Sequence, residues 1–221
     1  MPGGSAGCRP LAALLPVLLL VLAGFSGCAS KPAQRPAIDG PGSSPPANLA
    51  ATPDARPRVE PLRSGGPNKP YVLMGESIVP MTDDLPLDEA GGASWYGRKF
   101  HGLPTSSGEP YDMYAMTAAH KTMPIPSYAR VRNPANGHEV IVRINDRGPF
   151  APGRVIDLSY TAARKLGVLG GVATVQVHRL THREIRAMEA QAGAAAAAAA
   201  AASTPPRKPA YDDLPADLRP D

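Results

Sequence analysis

The chain has 221 residues and a formal net charge of +4, from 23 Lys and Arg against 19 Asp and Glu. A mildly basic balance can indicate nucleic-acid binding, but the export signal described next removes the chain from the cytosol, so we expect no nucleic-acid partner. The cysteines are Cys8 and Cys28, both at or before the expected cleavage point. The mature chain is therefore expected to lack an internal disulfide, a cysteine metal site and a cysteine nucleophile.

Residues 1–27 have the pattern of a bacterial export signal. Arg9 supplies a positive charge, and the apolar run Leu11–Leu22 is too short to span a bilayer comfortably. The Phe-Ser-Gly before Cys28 is similar to a lipobox, whose Cys is acylated and becomes the new N-terminus. Because Ala29-Ser30 follows it, we expect a lipid anchor in the outer membrane, facing the periplasm. An ordinary signal peptide and an uncleaved anchor are the alternatives.

Two low-complexity segments are expected on either side of a single folded domain. Residues 28–70 are rich in Pro, Ala, Gly and Ser, and such a composition buries too little apolar surface to offset the entropy of ordering. We therefore predict a disordered linker there. Residues 183–221 contain an alanine run and a Pro-rich end, which predicts a possible helix over 181–202 that acts as a spacer.

Residues 71–182 remain as one domain of about 110 residues, enough for a modest core. Ser159 can cap a helix over Tyr160–Leu166 that Gly167 would end. Many short strands, one short helix and no βαβ alternation predict a mainly β fold, a small barrel. The predicted strands are Tyr71–Met74, Ser77–Met81, Gly92–Tyr96, Tyr128–Arg132, Glu139–Asn145, Val155–Leu158 and Val172–Leu180.

Three ionisable residues, Glu109, His120 and Asp146, lie where loops or strand ends would present them in one cleft. Cleavage of a glycosidic bond needs an acid for the leaving oxygen and a group that stabilises positive charge at the sugar carbon. Two carboxyl groups of different pKa can do this. Each residue also has a simpler interpretation, as a turn former or a solvated loop carboxylate.

Two other kinds of site are disfavoured by spacing. His101, His120 and His138 match no zinc signature, so we expect neither a metal nor another cofactor. The serines near Trp95 and Glu109 lie outside a Gly-x-Ser-x-Gly elbow, which disfavours a serine triad. Trp95 and its neighbour Tyr96 either stack on sugar rings or belong to the core.

Six segments of the domain form a specific pattern. They are Gly-Ala-Ser-Trp-Tyr-Gly (92–97), Phe-His-Gly (100–102), Thr-Ser-Ser-Gly-Glu-Pro-Tyr-Asp (105–112), Met-Thr-Ala-Ala-His-Lys-Thr (116–122), Asn-Asp-Arg-Gly-Pro-Phe (145–150) and Ile-Asp-Leu-Ser (156–159). In order and spacing they resemble the rare lipoprotein A family. The resemblance implies a six-stranded double-psi β-barrel, related to those of expansins and membrane-bound lytic transglycosylase A. It also implies an endolytic peptidoglycan lytic transglycosylase, active in wall organisation and cell division, that prefers glycan strands without stem peptides.

The resemblance also implies roles for particular residues. Asp146 would protonate the oxygen between N-acetylmuramic acid and N-acetylglucosamine, and then accept the proton of the muramic O6 hydroxyl as a 1,6-anhydro ring closes. Glu109 and His120 would position the sugar, tune the pKa of that acid or stabilise charge. Asn145 and Arg147 would contact the sugar.

The same resemblance leaves one alternative open. Expansins loosen polymers without hydrolysing them, so a non-catalytic lipoprotein that binds peptidoglycan is the second hypothesis, although it is a fold-level analogy. Many family members carry a C-terminal module that binds denuded glycan at the septum. No counterpart of that module is expected in residues 183–221. Under either hypothesis the expected partners are peptidoglycan strands and a membrane reached through the anchor, and the chain is expected to be a monomer.

Overall fold

The computed structural model describes residues 3–4, 39–62 and 64–203. The chain divides into two units, 1–37 and 38–221, and only the second is described at length. The predicted signal peptide apart from residues 3–4, Cys28 and the Pro-rich end after residue 203 lie outside the described residues. The strands are β1 (Tyr71–Leu73), β2 (Glu76–Ile78), β3 (Asp88–Tyr96), β4 (Thr117–His120), β5 (Ser127–Arg132), β6 (Glu139–Asp146), β7 (Arg154–Ser159) and β8 (Ala173–Leu180); the helices are α1 (Tyr160–Leu166) and α2 (His182–Ser203).

Six strands close into a barrel in the order β3, β7, β4, β6, β5 and β8. Two neighbouring pairs, β3 with β7 and β4 with β6, are parallel, and the other neighbours are antiparallel. The predicted six-stranded barrel is confirmed. The short β1 and β2 form a separate antiparallel hairpin.

The interior of the barrel is filled by alternating side chains of the strands. In β6, Val140, Val142 and Ile144 are fully buried, while Ile141 and Arg143 are half-buried on the other face, as the period of two predicts. The core continues through buried apolar residues of the other strands and of α1, among them Ala93, Ala118, Ala129, Val131, Ile156, Leu158, Ala163, Leu166, Val175 and Val177.

Helix α1 begins and ends where the sequence predicts. The Ser159 hydroxyl accepts a hydrogen bond from the Ala162 backbone at 3.2 Å, which satisfies one of the free N–H groups of the first turn. Gly167 ends the helix with a φ of 76°, a left-handed conformation that glycine adopts without steric cost.

The segment before the barrel differs from the predicted disordered linker. Leu49 is 4% exposed, and it packs against three barrel-side residues, Tyr111, Met113 and Tyr160. The Asp54 carboxylate accepts a hydrogen bond from the Ile141 backbone at 3.0 Å. Residues 39–62 contact the barrel largely through polar side chains, whose hydrogen bonds add to the small apolar surface that their composition provides.

Two more polar residues join this segment to the domain. Glu60 accepts hydrogen bonds from Arg143 Nε at 3.0 Å and from the Tyr128 hydroxyl at 2.8 Å. Asn68 is 2% exposed and exchanges two hydrogen bonds with the Ile125 backbone, at 2.8 and 2.9 Å. The segment thus belongs to the folded domain over its described length.

The alanine-rich segment is helical, as the sequence allows. Helix α2 covers His182–Ser203, and Ile185 is its buried residue. Thr181 and Glu184 form a capping box at its start, with the Thr181 hydroxyl donating to Glu184 at 2.6 Å and accepting from the Glu184 backbone at 3.3 Å. No helix among the described residues is both long and apolar enough to cross a membrane.

Candidate functional site

A cleft of about 330 Å³ opens beside the carboxyl end of β6. Four of the predicted site residues line it: Trp95, Tyr96, Asp146 and Arg147. Its other lining residues are Asp39, Ser94, Phe100, Ala119, Gly148, Phe150, Arg154 and Asp157. A larger cavity of about 440 Å³ lies on β3, β5, β6 and β8, but it contains none of the predicted site residues.

Asp146 is the last residue of β6 and is held by one of its two carboxylate oxygens. Its Oδ1 accepts hydrogen bonds from the Ser106 backbone at 2.8 Å, from the Ser106 hydroxyl at 2.7 Å and from the Arg147 backbone at 2.8 Å. Its Oδ2 makes no hydrogen bond with any residue that the structure describes. The carboxylate therefore has a defined orientation and one oxygen available to a ligand.

Aromatic side chains form one wall of the cleft. The Tyr96 ring stacks on Tyr111 with 4.0 Å between ring centroids. Trp95 packs edge-on against Tyr160 at 5.3 Å and donates from Nε1 to the Leu169 carbonyl at 3.3 Å. Both predicted aromatics thus belong partly to the core and partly to the cleft surface.

Exposed phenylalanines extend this wall. Phe100 is 41% exposed and Phe150 is 55% exposed, and both line the cleft. Large exposed apolar rings beside polar groups are typical of binding sites rather than of an ordinary surface.

Glu109 does not line the cleft. Its carboxylate accepts hydrogen bonds from Arg143 Nη1 at 2.6 and 2.9 Å and from Asn145 Nδ2 at 3.3 Å. The hydrogen bond from Arg143 lowers the pKa of Glu109, so that it stays ionised. Asn145, which is 3% exposed, and Glu109 are thus joined by a hydrogen bond. The Glu109 side chain is 46% exposed, on the same loop as Ser106.

His120 is also outside the cleft and is 1% exposed. Its Nδ1 accepts hydrogen bonds from the Thr122 and Met123 backbones at 3.1 and 3.0 Å, so the ring proton lies on Nε2. That Nε2 faces the Glu89 carboxylate at 3.3 Å. In this arrangement His120 holds the turn after β4 and orients the strand that carries Ala119.

Arg147 reaches the cleft, but its guanidinium is occupied by the protein. It donates to three backbone carbonyls, those of Pro67, His120 and Met123, at 3.0, 3.1 and 2.6 Å, and to Asn68 Oδ1 at 2.7 Å. Burial lowers the pKa of Arg147 to about 10. Through Pro67 and Asn68, the Arg147 side chain connects the segment before the barrel to the residue that follows Asp146.

Sequence reasoning missed Asp157 as a site residue. It lies in β7, lines the same cleft as Asp146, and accepts a hydrogen bond from the Ser94 hydroxyl at 2.6 Å. Burial raises the pKa of Asp157. The sequence signal that points to it is an acidic residue within the apolar run 155–158, where a solvated surface carboxylate is not expected.

The assembled site is a cleft with three aspartates, Asp39, Asp146 and Asp157, and a set of aromatic rings. No grouping of metal ligands is present among residues 39–62 and 64–203. Paired carboxyl groups in different surroundings can act as acid and base on one bond.

The barrel region of this chain is similar to known proteins. Residues 88–177 match a family model described as lytic transglycolase. Three similar relatives carry the name endolytic peptidoglycan transglycosylase RlpA. The protein from Vibrio cholerae is 48% identical over 74% of this chain and 62% of its own length. The one from Pseudomonas aeruginosa strain UCBPP-PA14 is 48% identical over 69% and 49%. The one from Neisseria meningitidis serogroup A is 50% identical over 59% and 54%.

The matched part thus spans about half to three fifths of the length of these relatives. The family match covers β3 to β8 almost completely, and these strands close the barrel and carry Asp146 and Asp157. Over residues 88–177 this chain therefore matches the family model described as lytic transglycolase along the strands of its six-stranded barrel.

Proposed function

We propose that this protein is an endolytic lytic transglycosylase of peptidoglycan. Its substrate would be a glycan strand without stem peptides, cut between N-acetylmuramic acid and N-acetylglucosamine. The observation that carries the proposal is Asp146, oriented through Oδ1 and placed in an open cleft with Trp95 and Phe150. The names of the relatives support the same reaction class.

The reaction uses no water as nucleophile. The muramic O6 hydroxyl attacks the anomeric carbon of the same sugar, the bond to the bridging oxygen breaks, and a 1,6-anhydro ring closes. Asp146 accepts the O6 proton through the oxygen that carries no protein hydrogen bond, because three donors already occupy the other oxygen. An acid must also protonate the bridging oxygen as it leaves.

The proposal extends to the location of the enzyme. Acylated Cys28 would hold the domain at the periplasmic face of the outer membrane, within reach of the wall. Two or more acyl chains give a stable anchor, whereas one chain binds only marginally. The enzyme would act there as a monomer on the glycan, in wall organisation and cell division.

Mass spectrometry of the products tests the reaction class. The purified protein is incubated with stem-peptide-free glycan strands. We expect products with 1,6-anhydro ends, lighter by one water than hydrolysis products. Reducing ends would instead show a hydrolase, and retained binding without any product would favour the expansin-like wall-binding protein.

The variant Asp146→Asn tests the role of the carboxylate. An amide oxygen can still accept from the Ser106 and Arg147 backbones, so the fold is expected to persist and the glycan to bind. Turnover should fall by about 10²-fold or more, because the amide cannot accept the O6 proton. Glycan release equal to that of the wild type would refute the assignment.

A further inference from the structure

We propose that Asp157 is a second catalytic residue, the acid that protonates the bridging oxygen, while Asp146 is only the base. This rests on the proposed function. It departs from the sequence-based expectation that Asp146 does both in turn.

The strand register places the two carboxyl groups in one row. Ala119 of β4 pairs with Asp146 of β6 on one side and with Asp157 of β7 on the other, and Asp157 pairs in turn with Ser94 of β3. Neighbouring strands lie about 4.8 Å apart, so the two aspartate Cα atoms are separated by about 10 Å.

The residue between them leaves the space free. The side chain of Ala119 is a single methyl group, and it lines the cleft together with Asp146 and Asp157. Both carboxyl groups line the same cleft, and paired carboxyl groups in different surroundings can act as acid and base on one bond. In the intramolecular reaction the muramic O6 and the departing oxygen lie on the same face of the sugar ring, so the acid and the base must both reach that face from the cleft.

The surroundings of the two groups differ in the direction that the roles require. The Asp157 side chain is 17% exposed, and burial raises its pKa, which favours the proton-carrying form. The hydrogen bond from Ser94 and the two cations that face Asp157, Arg154 at 3.4 Å and Lys121, act against this shift without reversing it. Asp146 receives three hydrogen bonds on Oδ1, which leaves Oδ2 to receive a proton.

A neutral hydroxyl lies near both groups. Burial, together with the charges of Asp146 and Asp157, raises the pKa of Tyr96, so its phenol keeps its proton throughout the working range.

The step balances in protons and bonds. Asp157 gives its proton to the bridging oxygen as the bond from the anomeric carbon to that oxygen breaks. The muramic O6 forms the new bond to the anomeric carbon, and its proton goes to Asp146. Asp157 ends ionised and Asp146 protonated, and exchange with solvent restores both. No oxidant, reductant or second reactant is needed.

The wild-type enzyme gives the first test, which does not depend on the folding of a variant. Turnover of stem-peptide-free glycan should fall as the pH rises through the pKa of Asp157, since the acid loses its proton. With an oligomer whose terminal N-acetylmuramic acid carries a 4-nitrophenyl group, the leaving phenolate needs no proton. That high-pH fall should then be absent, and the same fall with both substrates would overturn the proposal.

Asp157→Asn gives the second test, with Asp83→Asn as the matched control. Asp83 is exposed and does not line the cleft, so its variant should behave as the wild type. Asp157→Asn should lose about 10²-fold or more on the glycan and stay within about tenfold of the wild type on the 4-nitrophenyl substrate. Asp146→Asn should lose activity on both, because ring closure still needs a base.

The possible failures are distinguishable. A wild-type protein that makes no anhydro product refutes the proposed function itself. An active wild type with an equally active Asp157→Asn variant, or with a variant that is impaired equally on both substrates, refutes only the assignment of the acid.

Discussion

At the scale of single residues, the ionisable groups around the site differ in whether they line the cleft. Asp146 and Asp157 line it, whereas Glu109 and His120 do not and are hydrogen-bonded to other residues of the protein. Glu109 matters through the loop 105–109, since Thr105 and Ser106 of that loop bond to the Glu109 carbonyl and to Asp146. Residues of one sequence pattern can thus have unequal roles.

Glu109→Gln tests this positioning role. The amide keeps the hydrogen-bonding shape but loses the charge that pairs with Arg143 at 2.6 Å. We expect turnover to fall by about tenfold through misplacement of the loop, a smaller loss than for Asp146→Asn. Glu139→Gln, which breaks the exposed pair with Arg130, is the matched control. A loss as large as that of Asp146→Asn would show that Glu109 takes part in the chemistry.

At the scale of elements, the start of α2 is tied to the barrel by charge. His178 of β8 lies between the Asp88 carboxylate at 2.6 Å and the Glu184 carboxylate at 2.8 Å. Burial alone would raise the pKa of Glu184 above its ordinary value of 4.5. Hydrogen bonds from Thr181 and the ion pair with His178 outweigh burial and lower this pKa to about 2. Such a group stabilises the fold above its unfolded pKa.

The stability of this junction should therefore depend on pH. The contribution of Glu184 is complete above about pH 4.5 and is lost as the pH falls towards about 2. In Glu184→Gln the amide still accepts from Thr181 but does not titrate. Between about pH 5 and pH 2 we expect the wild type to lose about 1 kcal/mol more than the variant, after allowance for solvent screening.

Urea unfolding at several pH values measures this difference. Glu189→Gln is the control, because Glu189 is exposed on the same helix and should follow the wild type. Parallel curves for the wild type and Glu184→Gln across this window would contradict the assignment.

At the scale of the whole molecule, the segment before the barrel is part of the site. Asn68 and Pro67 accept hydrogen bonds from the Arg147 guanidinium. Glu60 accepts one from Arg143, and Arg143 also donates to Glu109. Residues that precede the barrel thus hold two arginines, Arg143 of β6 and Arg147, which follows Asp146 in the chain. A chain that begins at residue 70 would lack the hydrogen bonds of Pro67 and Asn68 to Arg147 and that of Glu60 to Arg143.

Asn68→Ala tests this dependence. The substitution removes the acceptor for Arg147 and both hydrogen bonds to the Ile125 backbone, and buried groups without a partner are costly. We expect the free energy of unfolding to fall by about 1–3 kcal/mol, with a loss of turnover. The exposed Asn48 supplies the control variant Asn48→Ala. Equal stability of the two variants would show that the segment is dispensable.

The sequence by itself determined the local features of this protein. The helix cap at Ser159, the αL end at Gly167 and the alternation in β6 depend on a few neighbouring residues, so pattern and spacing suffice. The position of Asp146 at the end of a strand, in a cleft, could also be predicted, because the strand pattern and the polar residues that end it are contiguous in the chain.

Tertiary structure decided what depends on distant pairing. Strand β4, with its two alanines, has little β-propensity and forms because β6 and β7 lie on either side of it. That same pairing places Asp157 level with Asp146 across Ala119, although the two are on different strands. The contacts of Asn68 with Arg147 and of Glu60 with Arg143 span about 80 residues. Composition cannot show them, because hydrogen bonds between remote side chains form only once the barrel has closed.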